Sequence, residues 1–459
     1  MLRRILLTVL FGLSYFTACA AAEAQFVPKR VDAVDVVVAG GGSAGVPAAV
    51  QAARMGAKTV LVEAGFQIGG NATSGGVNFP GLFHAWGKQV ISGIGWEWVE
   101  KTVRESSGTM PDFSVPTGRW HWKHQIRVNI PTYVLIGEEL CANAGVELRY
   151  YESAIAAEAI TPDSPDPDAS AKARENYRWK VTTAAQGEIR VLYCKQLVDC
   201  TGNGALAALC GAARMRENET QPGTFNYKIK HHIDLNKLDK EAAQKAFDEA
   251  LRDGRLEPGD ARGGIAAFLQ NSENNYVYGA DNSTAEARTE TNLRGRRAAL
   301  RMLRFVRSLP GGEDAVLESM SPDVGVRETY RVEGEYVITH DDYVSGRVWD
   351  DSLAYAFYPV DLHENASGVH PKHLQEGTVA TVPLRALLAK GVPNLLVAGR
   401  CVSSDRLANS ALRVQATCMA CGQAAGAAAA LAALQDAAPG ELNVDGIKNA
   451  LREQGAIVP

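Results

Sequence analysis

Three glycines and one glutamate near the amino end have the types and spacing to hold a phosphorylated nucleotide. Gly40, Gly42 and Gly45 follow an apolar run and precede a stretch of small residues. In this order Gly40 permits a tight turn, Gly42 lets the backbone approach a pyrophosphate, and Gly45 lets a helix pack on the strand. The N–H groups at the start of that helix can hold the phosphates. A second apolar run ends at Glu63, whose carboxylate can accept hydrogen bonds from a ribose. The pattern therefore predicts a β-α-β unit that binds a dinucleotide.

The residues after Glu63 indicate which dinucleotide. Gly69 and Gly70 follow shortly after the acid and precede Asn71. This extended form resembles the FAD fingerprint of the glutathione-reductase-like flavoprotein superfamily; the alternative is a glycine-rich loop that only turns the chain. The resemblance implies FAD contacts in this region from Gly40, Gly42, Ser43, Ala44, Gly45, Glu63, Ala64, Gly69, Gly70 and Asn71.

Two distant segments are similar to further parts of the same superfamily. An apolar strand near residue 197 ends at Thr201 and Gly202, and a second strand, at 395–398, ends at Gly399 and Arg400. A long alanine-rich helix then starts near 417–422, and the resemblance implies that its amino end points at the isoalloxazine, where its dipole stabilises negative charge. The implied FAD contacts here are Ala154, Thr201, Gly202, Gly399, Arg400, Gly422 and Gln423. No attachment motif is present, so FAD binding is predicted to be non-covalent.

A third segment, residues 324–363, is similar to the FAD-dependent oxidoreductase family found widely in bacteria. Its features are Arg-Glu-x-x-Arg at 327–331, Gly-Glu-Tyr at 334–336, paired aspartates at 350–351, and Pro-x-Asp-x-His at 359–363. The similarity extends from about Val34 to Leu434. Because the members of this family catalyse many different reactions, the resemblance does not identify the substrate.

These resemblances imply an α/β fold in which a discontinuous Rossmann-like FAD-binding domain carries a second, α+β substrate or cap domain. The expected FAD-binding segments are 31–78, 129–213 and 379–434; the second domain comprises 79–128 and 214–378, and 435–459 is a C-terminal tail. A chain of 459 residues with 46% apolar and 22% charged residues is long enough for two domains.

The first residues, 1–24, have the pattern of a signal peptide. Arg3 and Arg4 precede a short apolar stretch, which is followed by small residues that suit cleavage. The prediction is an exported protein, periplasmic or secreted, with no membrane span after signal removal. An imperfect lipobox leaves lipid attachment at Cys19 open.

Charge and cysteine content argue against a nucleic-acid-binding protein and against a disulfide-stabilised fold. The net charge of -5 favours no nucleic-acid partner, and the arginines within residues 294–307 are expected to form a solvated helix face. Seven cysteines remain after signal removal, an odd number that does not suggest a disulfide framework. Cys418 and Cys421 have redox spacing, but they also suit packing as small apolar groups beneath the cofactor.

Catalytic candidates are polar residues for which an apolar core has no use. Arg327 and Arg331 fit carboxylate or polyhydroxylated substrates, and Glu328 could fix one of them; a structural salt-bridge network is the alternative. His363 could take a hydroxyl proton while hydride passes to flavin N5, or could be bonded only to backbone. Arg413, just before the last helix, is a candidate for the reactive ring edge or for a cofactor phosphate.

A second group is rich in imidazole and aromatic rings. His84, His121, Trp122 and His124 could face a sugar ring or pack in a core. Their spacing fits no common metal pattern, so no metal site is predicted.

The combined expectation is an FAD-dependent oxidoreductase that takes hydride from a small polar substrate such as a carbohydrate, polyol or hydroxy acid. Only one dinucleotide fingerprint is present, so the electron acceptor is expected to be another, unidentified partner. One alternative is reduction of an activated double bond, as in fumarate-reductase-like proteins. The other is a flavin electron-relay or binding protein without its own substrate.

Overall fold

A computed structural model describes residues 28–459, apart from 116–119, 162–175, 262, 272, 365–367 and 370. The predicted signal peptide, 1–24, and Cys19 lie outside the described residues.

The strands and helices follow one another along the chain in a mixed order. The described strands are β1 (Arg30–Ala39), β2 (Thr59–Glu63), β3 (His84–Ala85), β4 (Lys88–Gln89), β5 (Glu147–Tyr150), β6 (Glu152–Ala159), β7 (Trp179–Ala185), β8 (Glu188–Asp199), β9 (Arg214–Met215), β10 (Gly223–Lys230), β11 (Glu273–Val277), β12 (Val316–Met320), β13 (Arg331–Val332), β14 (Ser352–Ala356), β15 (His363–Glu364), β16 (Gly368–Val369), β17 (Ala380–Pro383) and β18 (Leu395–Val397). The described helices are α1 (Gly45–Arg54), α2 (Ile94–Glu105), α3 (Ile130–Ala144), α4 (Ala205–Leu209), α5 (Lys240–Arg252), α6 (Gly264–Asn271), α7 (Ala285–Arg307), α8 (His340–Ser345), α9 (Arg406–Leu412), α10 (Gln415–Gln435) and α11 (Val444–Glu453).

The main sheet places the predicted nucleotide-binding segments side by side. Seven described strands run in the order β5-β2-β1-β8-β7-β6, and β18 pairs with the carboxyl half of β8. The pairs β5–β2, β2–β1, β1–β8 and β8–β18 are parallel, whereas β6 and β7 are antiparallel to their neighbours. The chain leaves β1 for β2 on one side and reaches β8 on the other. A sheet whose strand order diverges in this way has a crevice at the carboxyl ends of its strands, where ligands bind.

Helix α10 packs on α1 through backbone contact. A Cβ atom added at Gly422 would lie 2.0 Å from the carbonyl oxygen of Ala44, and one at Gly426 would lie 2.2 Å from that of Ala48. The helix begins at Gln415, earlier than the predicted 417–422. Within the described part of the chain α10 is long and apolar enough to cross a membrane, but 83% of its apolar 18-residue window is buried inside the protein.

A second, smaller core surrounds the antiparallel sheet β11-β10-β12. Phe225 of β10, Phe247 of α5, Phe268 of α6 and Met302 of α7 are buried together. On α7 Arg296, Arg297, Arg304 and Arg307 are exposed, whereas Arg301 is partly buried and pairs with the buried Asp260 at 2.7 Å.

The predicted domain boundaries stay a prediction, but two segments pack differently from expectation. Helix α2, from the segment expected in the second domain, packs in the main core, where Ile94 and Trp98 are buried. The expected C-terminal tail contains α11, whose Ile447 and Leu451 pack in the same core. In both helices an apolar face needs a partner, and the long α10 supplies one.

The α1–α10 contact can be tested with one methyl group. Gly422→Ala should lower the free energy of unfolding by about 1–3 kcal/mol, because the added Cβ forces two backbones apart. Denaturant unfolding of the purified protein measures this change. Gly446→Ala on α11 is the matched control, since a Cβ there meets nothing within 4 Å and should be neutral or stabilising. Equal effects of the two substitutions would contradict the packing described.

Candidate active site

A cavity of about 850 Å³ opens at the carboxyl ends of β1, β2, β8 and β18. Most of the predicted cofactor and catalytic residues line it. They are Gly40, Gly42, Ser43, Ala44, Glu63, Ala64, Gly70, Asn71, Ala154, Thr201, Gly202, Gly399, Arg400, Arg327, His363 and Arg413. Segments as distant in sequence as 40–45 and 399–413 therefore share one cavity.

The amino end of α1 is open toward this cavity. Among the described residues no side chain caps it, and its first turn contains no acidic residue. A Cβ atom at Gly42 would meet only the Cα of Gly70, at 4.0 Å. Uncapped N–H groups at the positive end of a helix dipole suit an anionic phosphate.

Glu63 holds the backbone of the glycine turn after β1 and of the loop after β2. Its Oε2 accepts a hydrogen bond from the Gly41 N–H at 2.6 Å, and its Oε1 accepts one from the Gly65 N–H at 2.6 Å. The carboxylate therefore shapes the cavity wall, in addition to the ribose contact that the sequence predicts.

Arg400 brings a positive charge to the cavity wall without a carboxylate to pair with it among the described residues. Its Nε donates to the Gly202 carbonyl oxygen at 2.8 Å, and its Nη1 donates to that of Val326. Burial lowers the pKa of Arg400 to about 10, so the side chain is still charged at neutral pH. An enclosed cation of this kind fits an anionic cofactor.

Four residues predicted to contact the cofactor do not line the cavity, and each has a packing contact within the protein, as the sequence already predicts for Gly45. A Cβ at Gly45 would lie 1.7 Å from the Gly40 carbonyl oxygen, so this glycine permits a close turn. Gly69 has a positive φ of 98° beside Thr73. Gly422 contacts α1, and Gln423 bonds to the Ile94 N–H and to Gln51. The last two sit nearly two turns into α10, too far from its amino end to face the cavity.

His363 lies between an acid and a phenol. Its Nε2 is 3.0 Å from Asp361 Oδ2, and its Nδ1 is 3.1 Å from the Tyr276 hydroxyl. Burial raises the pKa of Asp361, but the hydrogen bond from His363 and the charge of Arg413 outweigh it and bring it to about 2. Burial, opposed by the Asp361 hydrogen bond, lowers the pKa of His363 to about 4. An ionised Asp361 only accepts, so Nε2 carries the proton and Nδ1 accepts from Tyr276.

Glu328 and Arg331, predicted with Arg327 as a catalytic cluster, do not reach the cavity. Glu328 accepts hydrogen bonds from Arg406 and from both the backbone N–H and the side-chain amide of Gln221. Arg331 pairs with Glu217 and donates to a backbone carbonyl. Buried charges need such partners, and the alternative of a structural network therefore applies to these two residues.

Two further residues of the site carry no signal in the sequence. The side-chain oxygen of Gln221 accepts a hydrogen bond from the backbone N–H of His363 at 3.0 Å and one from Arg413 Nη2 at 3.4 Å. Tyr276 contacts both His363 and the guanidinium of Arg327. Each lies far from its partners along the chain, so only the fold reveals these contacts.

The predicted imidazole-rich group lines a second cavity of about 40 Å³. His84, His121 and His124 meet His373 there, and His121 and Trp122 also line the main cavity. Burial, together with the nearby His124, lowers the pKa of His84 to about 4.

Cys418 lines the main cavity, with Cys421 buried behind it. Burial raises the pKa of the Cys418 thiol to about 12, and it also raises the pKa of Cys421. Protonated thiols are poor nucleophiles, which favours packing over a redox pair.

Acid should destabilise the protein through His84, which is partly buried, and His363, which is buried. The pKa values of His84 and His363 are about 4 in the folded state, below the ordinary histidine value of 6.5. Between these pH values the unfolded chain binds more protons, so the free energy of unfolding falls as pH decreases from about 6.5 to 4. Asp361 acts at lower pH, where its contribution is lost as pH falls below 3.8 toward 2.

Denaturant unfolding at several pH values measures this slope. His84→Gln and His363→Gln should each flatten it, whereas the exposed His232→Gln should leave it unchanged. An unchanged slope in both buried-site variants would contradict the assignment.

Comparison with solved structures finds distant matches of low sequence identity. The geranylgeranyl bacteriochlorophyll reductase-like protein of Thermoplasma acidophilum matches with a TM-score of 0.40 and 11% identity, over 92% of this chain and 82% of that chain. The p-nitrophenol 4-monooxygenase PnpA of Pseudomonas putida matches with a TM-score of 0.37 and 11% identity, over 92% and 84%. The OxyS anhydrotetracycline hydroxylase of Streptomyces rimosus matches with a TM-score of 0.41 and 13% identity, over 92% and 66%.

Sequence comparison is more informative about the family. No match is found among curated protein sequences. The model of the FAD dependent oxidoreductase family matches residues 35–451, which include every strand and helix that borders the cavity. The protein is thus an α/β flavoenzyme, with a Rossmann-like FAD-binding sheet and an additional domain, and it belongs to the FAD dependent oxidoreductase family.

Proposed function

We propose that this protein is an exported FAD-dependent oxidoreductase that removes hydride from a small polar substrate: a carbohydrate, polyol or hydroxy acid. One observation carries the proposal. Arg327, His363 and Arg413 converge in the same cavity as the nucleotide-binding glycines. The parallel strand order and the amino-terminal glycine pattern support the narrower assignment to the glutathione-reductase-like type. The pattern of residues 1–24 supports export.

The residues at one end of the cavity suit FAD held without a covalent bond. The amino end of α1 would bind the pyrophosphate, Glu63 the ribose, and the strand around Ala154 the adenine side. Arg400 supplies a compensating positive charge. When bound, the isoalloxazine supplies a two-electron acceptor of hydride.

The residues at the other end suit removal of a hydroxyl proton. His363 is neutral at neutral pH, and its Nδ1 holds the lone pair that accepts from Tyr276. A substrate hydroxyl that takes the place of the phenol could give its proton to Nδ1. Asp361 fixes the tautomer through Nε2–H and would stabilise the imidazolium that forms.

A second enzymatic function fits one feature of the site. Two guanidinium groups near the Tyr276 hydroxyl also suit reduction of an activated double bond, in which a reduced flavin would supply the hydride and the protein would supply the proton. In both reactions the electron partner is unidentified. A relay protein without its own substrate would have little use for the enclosed Asp361–His363 pair.

Anaerobic mixing of the yellow holoprotein with sugars, polyols and hydroxy acids tests whether the protein oxidises such a substrate. One of these compounds should bleach the flavin absorbance. Bleaching only by a reduced redox protein would favour the relay, and recolouring of the reduced protein by an unsaturated acid alone would favour the reductase.

The role of His363 can be tested in the same assay. His363→Gln should slow bleaching by about 10²–10⁴-fold, because a positioned base is lost, while FAD content stays equal to wild type. His232→Gln, an exposed histidine, is the control and should bleach at the wild-type rate. A wild-type rate for His363→Gln would remove it from the mechanism.

The role of Glu63 predicts weaker FAD binding on loss of one charge. Glu63→Gln keeps the side-chain volume but puts an amide NH₂ opposite a backbone N–H, so FAD affinity should fall at least about 10-fold. Release of FAD fluorescence on dilution measures it. Glu158→Gln, exposed on β6, should bind FAD as wild type does. Equal affinity of the two variants would contradict the role of Glu63.

A further inference from the structure

We propose that Arg327 and Arg413 form a subsite for one carboxylate group, and that Gln221 is the residue that positions it. The substrate of the reaction proposed above would then be an acid with a single carboxylate near the oxidised carbon. This inference rests on the proposed function for its place in the reaction, but the binding site itself can be tested without turnover.

The balance of charge favours an anion at this end of the cavity. Arg327 and Arg413 bring two positive charges, and Asp361 brings one negative charge. His363 is neutral because burial lowers its pKa to about 4. Within this group of four residues one positive charge is therefore left over, and Arg400 lies near enough to act on Arg413 as well, so a bound carboxylate would reduce the repulsion among these cations.

The geometry of Arg413 leaves donors for such a ligand. Its Nη2 donates to the Asp361 carbonyl oxygen at 3.1 Å and lies 3.6 Å from Asp361 Oδ2. Its Nε is buried and has no hydrogen-bond partner among the described residues. A buried N–H without a partner is costly, and a carboxylate oxygen is the acceptor that a guanidinium edge fits.

Arg327 presents a second guanidinium whose plane is held by its neighbours. It donates to the Pro222 carbonyl oxygen, and its Cζ lies 5.5 Å from the centre of the Tyr276 ring. A stacked and hydrogen-bonded guanidinium loses little freedom when it binds a ligand, which favours planar carboxylate recognition.

Gln221 connects the subsite to the proton-accepting histidine. Its side-chain oxygen accepts hydrogen bonds from the Arg413 guanidinium and from the backbone N–H of His363. Its NH₂ group donates to Glu328 at 2.9 Å. Glu328 also accepts from the Gln221 backbone N–H at 2.7 Å and is neutralised by Arg406. This bonding allows only one orientation of the amide, with its oxygen toward Arg413.

Titration of the holoprotein with inert ligands tests the subsite, with the flavin absorbance spectrum as the readout. Benzoate should bind at least about 10-fold more tightly than benzamide, which has the same shape but no charge. Arg413→Gln and Arg327→Gln should each remove this preference. Arg304→Gln, an exposed arginine on α7, is the control for loss of one positive charge and should keep it.

Gln221→Leu tests the positioning role. The preference for benzoate over benzamide should fall toward unity while FAD content stays at the wild-type level, a combination that simple loss of folding would not produce. Unchanged preference in this variant would remove Gln221 from the subsite.

Other outcomes separate this inference from the proposed function. Equal binding of benzoate and benzamide, or stronger binding of inorganic phosphate, would overturn the carboxylate subsite even if a polyol bleaches the flavin. Selective benzoate binding would support the subsite even if no hydroxy compound bleaches it.

Discussion

The backbone contact between α1 and α10 is the constraint on which the cavity depends. Carbonyl oxygens of α1 occupy the space that side chains at Gly422 and Gly426 would need. Because α10 is held so closely, the segment immediately before it is brought to the carboxyl ends of the parallel strands. Arg413 therefore reaches the cavity that begins at Gly40, although more than half of the chain separates them. The same helix also packs against α2 and α11 in the main core.

Charge within the cavity is divided between two ends. At the nucleotide end, the amino end of α1 provides positive potential for phosphates. At the other end, Arg413 and Arg327 surround a carboxylate–imidazole pair whose burial keeps the imidazole neutral. The two ends share one low-dielectric space, so an anionic substrate and the cofactor would each need its own cation. Arg400 lies near enough to Arg413 that, after burial, the charge of Arg413 also contributes to lowering the pKa of Arg400.

The sequence predicts those parts of the site that depend on local patterns. The strand, glycine turn, helix and terminal acid at 34–63 follow from residues close together in the chain, as do the strand ends at Thr201 and Gly399. The patterns fail where function and packing use the same residue type. Gly422 marks a close approach, but the approaching atoms belong to α1 and not to a ligand. Glu328 and Arg331 stand in a polar run beside Arg327, yet only Arg327 lines the cavity, because Glu328 is bonded to Gln221 and Arg406, and Arg331 is paired with Glu217. Gln221 and Tyr276 could not be predicted, because their roles arise from tertiary contacts alone.

The two hydrogen bonds of Glu63 have a consequence for how the nucleotide is taken up. Both carboxylate oxygens hold backbone N–H groups of the surrounding loops, so the loops are tied to the end of β2 by the protein itself. A receptor that is pre-organised in this way loses little conformational entropy when its ligand arrives. The affinity for the dinucleotide is then set by its contacts and charges, and the sheet can fold before the dinucleotide binds.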